Sequence, residues 1–133
     1  ERLHAAAIHL LRHLRREDSA SGLTGPRLSA LSVIVFGGPL TVGALAAAEQ
    51  VRPPTMTRIV TALEEAGLAA REPSPTDGRA VLIRATPAGK RLLEEGRARR
   101  TSALTRRLAD LSPDDLATLE RAADILDHLA RAR

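Results

Sequence analysis

The sequence predicts a mainly α-helical chain with a small β-hairpin: six helices and a sheet of two to three short strands. Three observations carry that prediction. Apolar residues recur at three- and four-residue spacing along most of the 133 positions, the period of helices with one buried face. Two short runs, Leu68 to Glu72 and Val81 to Ala85, flank the turn-forming stretch Pro73-Ser74-Pro75-Thr76-Asp77-Gly78-Arg79, which is the pattern of a hairpin. Phe36 is the only aromatic residue, so the core has to be aliphatic and rich in alanine, as suits closely packed helices.

Residues 1 to about 17 read as the first amphipathic helix, with Leu3, Ala7, Leu10 and Leu14 on one side and Arg12, Arg15 and Arg16 mostly opposite. Asp18 to Gly25 is small and polar, and reads as a loop. Pro26 suits the first turn of a second helix ending near Phe36, which buries Leu28, Leu31, Val33, Ile34 and Val35. Gly37-Gly38-Pro39 stops it, because proline cannot continue a helix. Thr41 caps a short third helix from about Val42 to Glu49.

The fourth helix opens at Arg52-Pro53-Pro54 and ends at Ala66-Gly67. Met56, Ile59, Val60 and Leu63 form its buried stripe. Its opposite face therefore presents Pro54, Thr55, Arg58 and either Thr61 or Ala62 to solvent, with Thr57 at the flank. After the hairpin, Thr86-Pro87 reads as a cap and first residue of a long helix running to about Ala109. Ser112 and Asp115 are spaced as a capping box for the last helix, which carries Leu116, Leu119, Ala123, Leu126 and Leu129 on one side.

The length suits one domain. Lys and Arg number 20 against 16 Asp and Glu, a net charge of +4, and every basic residue but Lys90 is arginine. Arginine offers a planar fork that fits phosphate and guanine, although the bias is also what a GC-rich genome produces. The lack of aromatic platforms argues against recognition by stacking on single strands. With no cysteine, disulfides and thiolate metal sites are excluded. No run approaches a membrane span and no signal-peptide pattern is visible, so the cytoplasm is the expected location; the chain opens at Glu1 inside a helical pattern, and sequence before it is expected.

No phosphate loop or nucleophile turn is present, and the paired acids Glu64-Glu65, Glu94-Glu95 and Asp114-Asp115 diverge on their helices. No enzymatic activity is expected. His9 and His13 stand one helical turn apart, but no further ligands accompany them, so no metal or cofactor is expected either.

A helix-turn-helix followed by a basic wing is a device for reading duplex DNA. From Leu40 to Leu92 the chain resembles the core of the MarR family of bacterial transcription regulators. The resemblance rests on Leu45-Ala46, on Thr55-Met56-Thr57-Arg58 followed by Val60 and Leu63-Glu64, and on Gly67-Leu68. Asp77-Gly78-Arg79 at the wing tip and Thr86-Pro87-Ala88-Gly89 complete it in register. There are departures: the corner between the two DNA helices carries Glu49-Gln50 where Leu-Gly is frequent, Arg52-Pro53-Pro54 replaces a Ser or Thr cap, and Gly78 replaces a second wing arginine.

The resemblance implies a winged helix-turn-helix on a helical homodimerisation scaffold. Residues 1–24 and 87–133 would supply the dimerisation helices and 26–86 the DNA-binding region of a single domain, 1–133. It implies a repressor that binds a pseudo-palindromic promoter site and responds to a small-molecule effector. The exposed leucine faces of the end helices favour a dimer independently; the alternative is that these helices cap one another within one chain. A rival function is a dimeric winged-helix module for protein association.

Within this frame Thr55 and Arg58, with Pro54 and Thr61 on the same face, are expected in the major groove. Thr57 and Arg52 are expected on backbone phosphates, and Arg79 in the minor groove. Asp77 pins Arg79 or caps the turn, and Arg71 and Arg84 lie on the wing strands, where phosphate contact and its absence are equally open. The plain readings are a solvated helix face, with Arg58 paired to Glu49, and a Thr-Asp-Gly turn with incidental charge.

Overall fold

A computed structural model describes residues 1–131. The chain runs α1 (Arg2–Leu14), a 3-10 segment (Arg15–Ser21), α2 (Gly25–Gly37), α3 (Val42–Ala48), α4 (Pro53–Glu65), β1 (Ala69–Pro73), β2 (Val81–Ala85), α5 (Pro87–Leu108) and α6 (Pro113–Arg131). This is the expected arrangement of six helices with an antiparallel wing. The sheet itself has two strands, and Leu40 adds a single bridge to Ile83 through reciprocal backbone bonds of 3.1 and 2.8 Å. The third strand therefore amounts to one residue, because Pro39 precedes Leu40 and the cap of α3 follows at Thr41.

The core sits where α2, α3, α4 and the wing base meet. Leu31 and Ile34 of α2, Leu45 of α3, Met56, Val60 and Leu63 of α4, and Ile83 of β2 are all fully buried or nearly so. Each contributes about 1.5–3 kcal/mol through removal of apolar surface from water. Leu28, Val33 and Val35, expected inside α2, are only half-buried, because Ala30, Leu31 and Ile34 occupy its innermost line.

Helices α3 and α4 close in the same way. At the end of α4, Gly67 takes a left-handed φ of 71°, its N–H donates to the Glu64 carbonyl at 2.9 Å, and Leu68 N–H donates to Leu63 at 2.9 Å. At the end of α3, Gln50 takes φ 54°, with Gln50 N–H to Ala47 at 3.2 Å and Val51 N–H to Ala46 at 3.0 Å. Both are Schellman closures, in which a left-handed residue lets two otherwise unpaired carbonyls accept. The Glu49-Gln50 corner thus keeps a glycine-like turn without glycine.

The first helix stops earlier than its sequence period predicts. It ends at Leu14, and the first half of the expected loop from Asp18 is 3-10 backbone that Gly22 ends at φ 72°. Ser19 Oγ donates to the Arg16 carbonyl at 2.8 Å, and Asp18 forms an ion pair with Arg100 of α5. Those two attachments turn a polar stretch into an ordered one.

At the start of α5, Thr86 Oγ1 accepts from Gly89 N–H at 3.1 Å and donates to the Gly67 carbonyl at 2.6 Å. One side chain therefore ties the long helix to the end of α4. Ser112 caps α6 by accepting from Asp115 N–H at 3.1 Å, while its hydroxyl donates to Asp115 Oδ2 at 2.7 Å. Among the described residues, neither α1 nor α6 fully buries any side chain. Leu119, Ile125, Leu126 and Leu129 of α6 and Leu3, Leu10 and Leu11 of α1 stand exposed. No helix among the described residues is long and apolar enough to cross a membrane.

Candidate nucleic-acid interface

Burial of Met56, Val60 and Leu63 fixes the rotation of α4 about its axis. Residues off that stripe are then turned outward: Pro53, Pro54, Thr55, Thr57 and Arg58 are exposed. Thr61 is half-buried, because it lies two turns into the helix where the neighbouring elements close in. Arg52 sits at the N-cap position, also exposed, and makes no capping bond.

Two prolines at the start of α4 leave only Thr55 to offer a backbone N–H among its first three positions. Thr57 Oγ1 donates to the Pro53 carbonyl at 3.0 Å. A phosphate accepts and does not donate, so Thr57 can serve one only by giving up that bond. Arg58 has no ion pair among the described residues, and Glu49 does not engage it. Its guanidinium remains available on the exposed face, one turn from Thr55.

The wing tip is held by its own side chains. Ser74 Oγ accepts from Thr76 N–H at 3.3 Å and Asp77 N–H at 3.2 Å. Asp77 Oδ1 accepts from Arg79 N–H at 3.1 Å, and Ala80 N–H donates to the Asp77 carbonyl at 3.0 Å. Asp77 therefore caps the turn and fixes the backbone of Arg79 while leaving its guanidinium exposed and without an ion pair among the described residues.

The strand arginines differ. Arg71 pairs with Glu64 of α4 at 3.1 Å, and Arg84 pairs with Glu72 across the hairpin at 2.8 Å. Sequence reasoning did not assign Glu64 or Glu72 a part. The signal was the strand alternation, which sets Arg71 on the face of buried Ile83 and so toward α4.

A second feature has no residue of α4 or the wing in its lining. A cleft of about 930 Å³ opens between α1, the 3-10 segment, α2 and α5, lined by Leu14, Leu28, Leu93 and Leu104 with Ser32 and Arg100 among its polar residues. Its size is that of a small-molecule pocket. His13 of α1 lies against Arg107 of α5, and no three His, Asp or Glu side chains among the described residues group as metal ligands would.

A short helix, a tight corner, a helix with an exposed polar face and a two-stranded hairpin after it make a winged helix-turn-helix. A profile described as MarR family matches residues 21–80, and an HTH-type transcriptional regulator from Mycobacterium leprae is 40% identical over 124 residues, 93% of this chain and 87% of that one. The chain belongs to the MarR family of DNA-binding transcriptional regulators, which are not enzymes. A transcriptional regulator from Thermotoga maritima has the same fold, with a TM-score of 0.85 at 25% identity over 96% of this chain and 89% of that one. A mutant of MepR from Staphylococcus aureus, solved bound to an oligodeoxyribonucleotide, shares the fold alone: TM-score 0.75, 18% identity, 96% and 94% coverage.

Proposed function

We propose that two copies of this chain associate and bind a pseudo-palindromic promoter site, repressing transcription by occluding it. The observation that carries the DNA-reading part is positional: Arg58 on the outer face of α4 and Arg79 at the wing tip are both exposed and free of ion pairs among the described residues, while the strand arginines Arg71 and Arg84 between them are paired. Arg58 and Thr55, with Pro54 and Thr61 beside them, would read base edges in the major groove. Arg52 would neutralise a phosphate near the start of α4, where Pro53 and Pro54 supply no N–H. Thr57 would join it by exchanging its bond to Pro53. Arg79, positioned by Asp77, would enter the flanking minor groove.

Association is supported by the exposed leucines of α1 and α6, which a partner copy would remove from water. Residues 1–24 and 87–133 would form that dimer, and 26–86 the DNA-binding part. The leucine-lined cleft would take a small-molecule effector, since it lies between the end helices and α2 and its filling would alter how they pack.

Replacing Arg79 with alanine tests the reading. Fluorescence anisotropy against duplex DNA over a salt series should show weaker binding and a logarithmic salt slope smaller by roughly one, the release of one counterion. An unchanged affinity and slope removes the wing from the mechanism. A wild-type protein with no salt-dependent DNA binding at all would favour a protein-association module instead.

A further inference from the structure

The hairpin leaves the body of the domain on a narrow base. Ala69, Ala70 and Ala85 occupy three of its four basal strand positions, so the one large apolar strand side chain that anchors it in the core is Ile83, two residues before Ala85. The base itself is held by buried Leu68 and Ile83, by the Leu40 bridge and by Thr86. Beyond it, an ion pair joins β1 to α4: Arg71 Nη1 meets Glu64 Oε2 at 3.1 Å. On the other face Arg84 and Glu72 bond diagonally across the strands at 2.8 Å and stiffen the hairpin against bending.

We infer that Glu64 and Arg71 form a strut between α4 and the wing. Arg71 acts in DNA recognition by positioning Arg79 relative to Arg58, and not by holding a phosphate itself. Three features support this. Register places Arg71 opposite Ile83, on the face turned toward the domain. Its guanidinium already has a carboxylate partner. To neutralise a phosphate it would have to leave Glu64 as an uncompensated anion beside the DNA backbone, which repels the ligand it is meant to attract. The inference rests on the proposed roles of Arg58 and Arg79, and it makes Glu64, an acid on a DNA-binding helix, a positioning residue with a defined purpose.

The test uses the full chain, its selected operator and a random duplex of equal length. The variants are Glu64→Gln, Arg71→Gln, both together, and the exchanged pair Glu64→Arg with Arg71→Glu. A strut predicts that each single change lowers the ratio of operator to random affinity by roughly threefold to tenfold, and that combining them adds little, as coupled neighbours do. The exchanged pair restores the ratio to within about twofold of wild type by the same coupling. Arg71→Gln leaves the salt slope unchanged, since no counterion is released at a side chain that touches no phosphate.

A phosphate role predicts the reverse. Arg71→Gln then lowers the salt slope by roughly one, and the exchanged pair, which puts an anion on the strand, binds worse than any other variant. Either result overturns the strut, and the slope decides even if the exchanged pair does not fold. A wild-type protein that prefers no operator overturns the DNA-reading proposal and the strut with it, whereas a discriminating wild type with an unrescued exchange overturns the strut alone.

Discussion

The two Schellman closures that bracket α4 differ in one respect that can be measured: Gly67 occupies one left-handed position and Gln50 the other. A β-carbon added at Gly67 would meet nothing within 4 Å, so Gly67→Ala isolates the backbone cost from any clash. That cost is about 1–2 kcal/mol for an L residue in the left-handed region. Loss of glycine's freedom in the unfolded chain returns roughly 0.4–1 kcal/mol, which leaves a net destabilisation on the order of 1 kcal/mol. Gln50→Gly runs the same comparison backwards and should stabilise by about the same amount. Urea denaturation followed by circular dichroism, at one fixed protein concentration, measures both. Opposite signs support the reading of the corner; two shifts of the same sign, or a Gln50→Gly variant no more stable than wild type, refute it.

Gly89 answers to a different constraint, because an added β-carbon would lie 2.2 Å from the Leu68 carbonyl oxygen and 3.1 Å from a Leu31 methyl. Overpacking of that kind costs about 1–3 kcal/mol, and the shift it forces would strain the bond of 3.0 Å from Thr86 N–H to Leu68. Gly89→Ala should therefore be less stable by roughly 2 kcal/mol despite alanine's better helix propensity, and wild-type stability in the same urea assay would contradict the packing. Replacing Leu119 and Leu126 together with glutamate should give a monomer mass in light scattering at micromolar concentration while the helical signal of the DNA-binding region persists. A dimer mass for that variant would place the association surface elsewhere.

Much of this architecture was legible because local chemistry and tertiary packing agree in it. The Met56, Val60, Leu63 stripe fixed the exposed face of α4, and Thr41, Thr86 and Ser112 cap where their spacing predicted. The hairpin strands fell where alternation placed them, one residue aside. What escaped the sequence is long-range. Nothing local to Arg15–Ser21 announces a 3-10 segment, since the Asp18 and Arg100 pair that anchors it joins positions far apart in the chain. Gln50 was unreadable as a left-handed residue because its type does not favour that region; the closure at Ala46 and Ala47 imposes it. The candidate site divides in the same way. Exposure of Thr55 and Arg58 follows from periodicity and that of Arg79 from its place in the turn, whereas the engagement of Arg71 by Glu64 and of Thr57 by Pro53 depends on side-chain bonds that spacing does not reveal.

The account depends on paired copies offering Arg58 and Arg79 to successive grooves of one duplex. Selection of bound sequences from a randomised duplex pool, at low ionic strength, tests it most directly. The predicted product is an inverted repeat whose half-sites are about one helical turn apart, near 10 base pairs centre to centre. Recovery of no repeat, or of a single half-site with no two-fold symmetry, would contradict it.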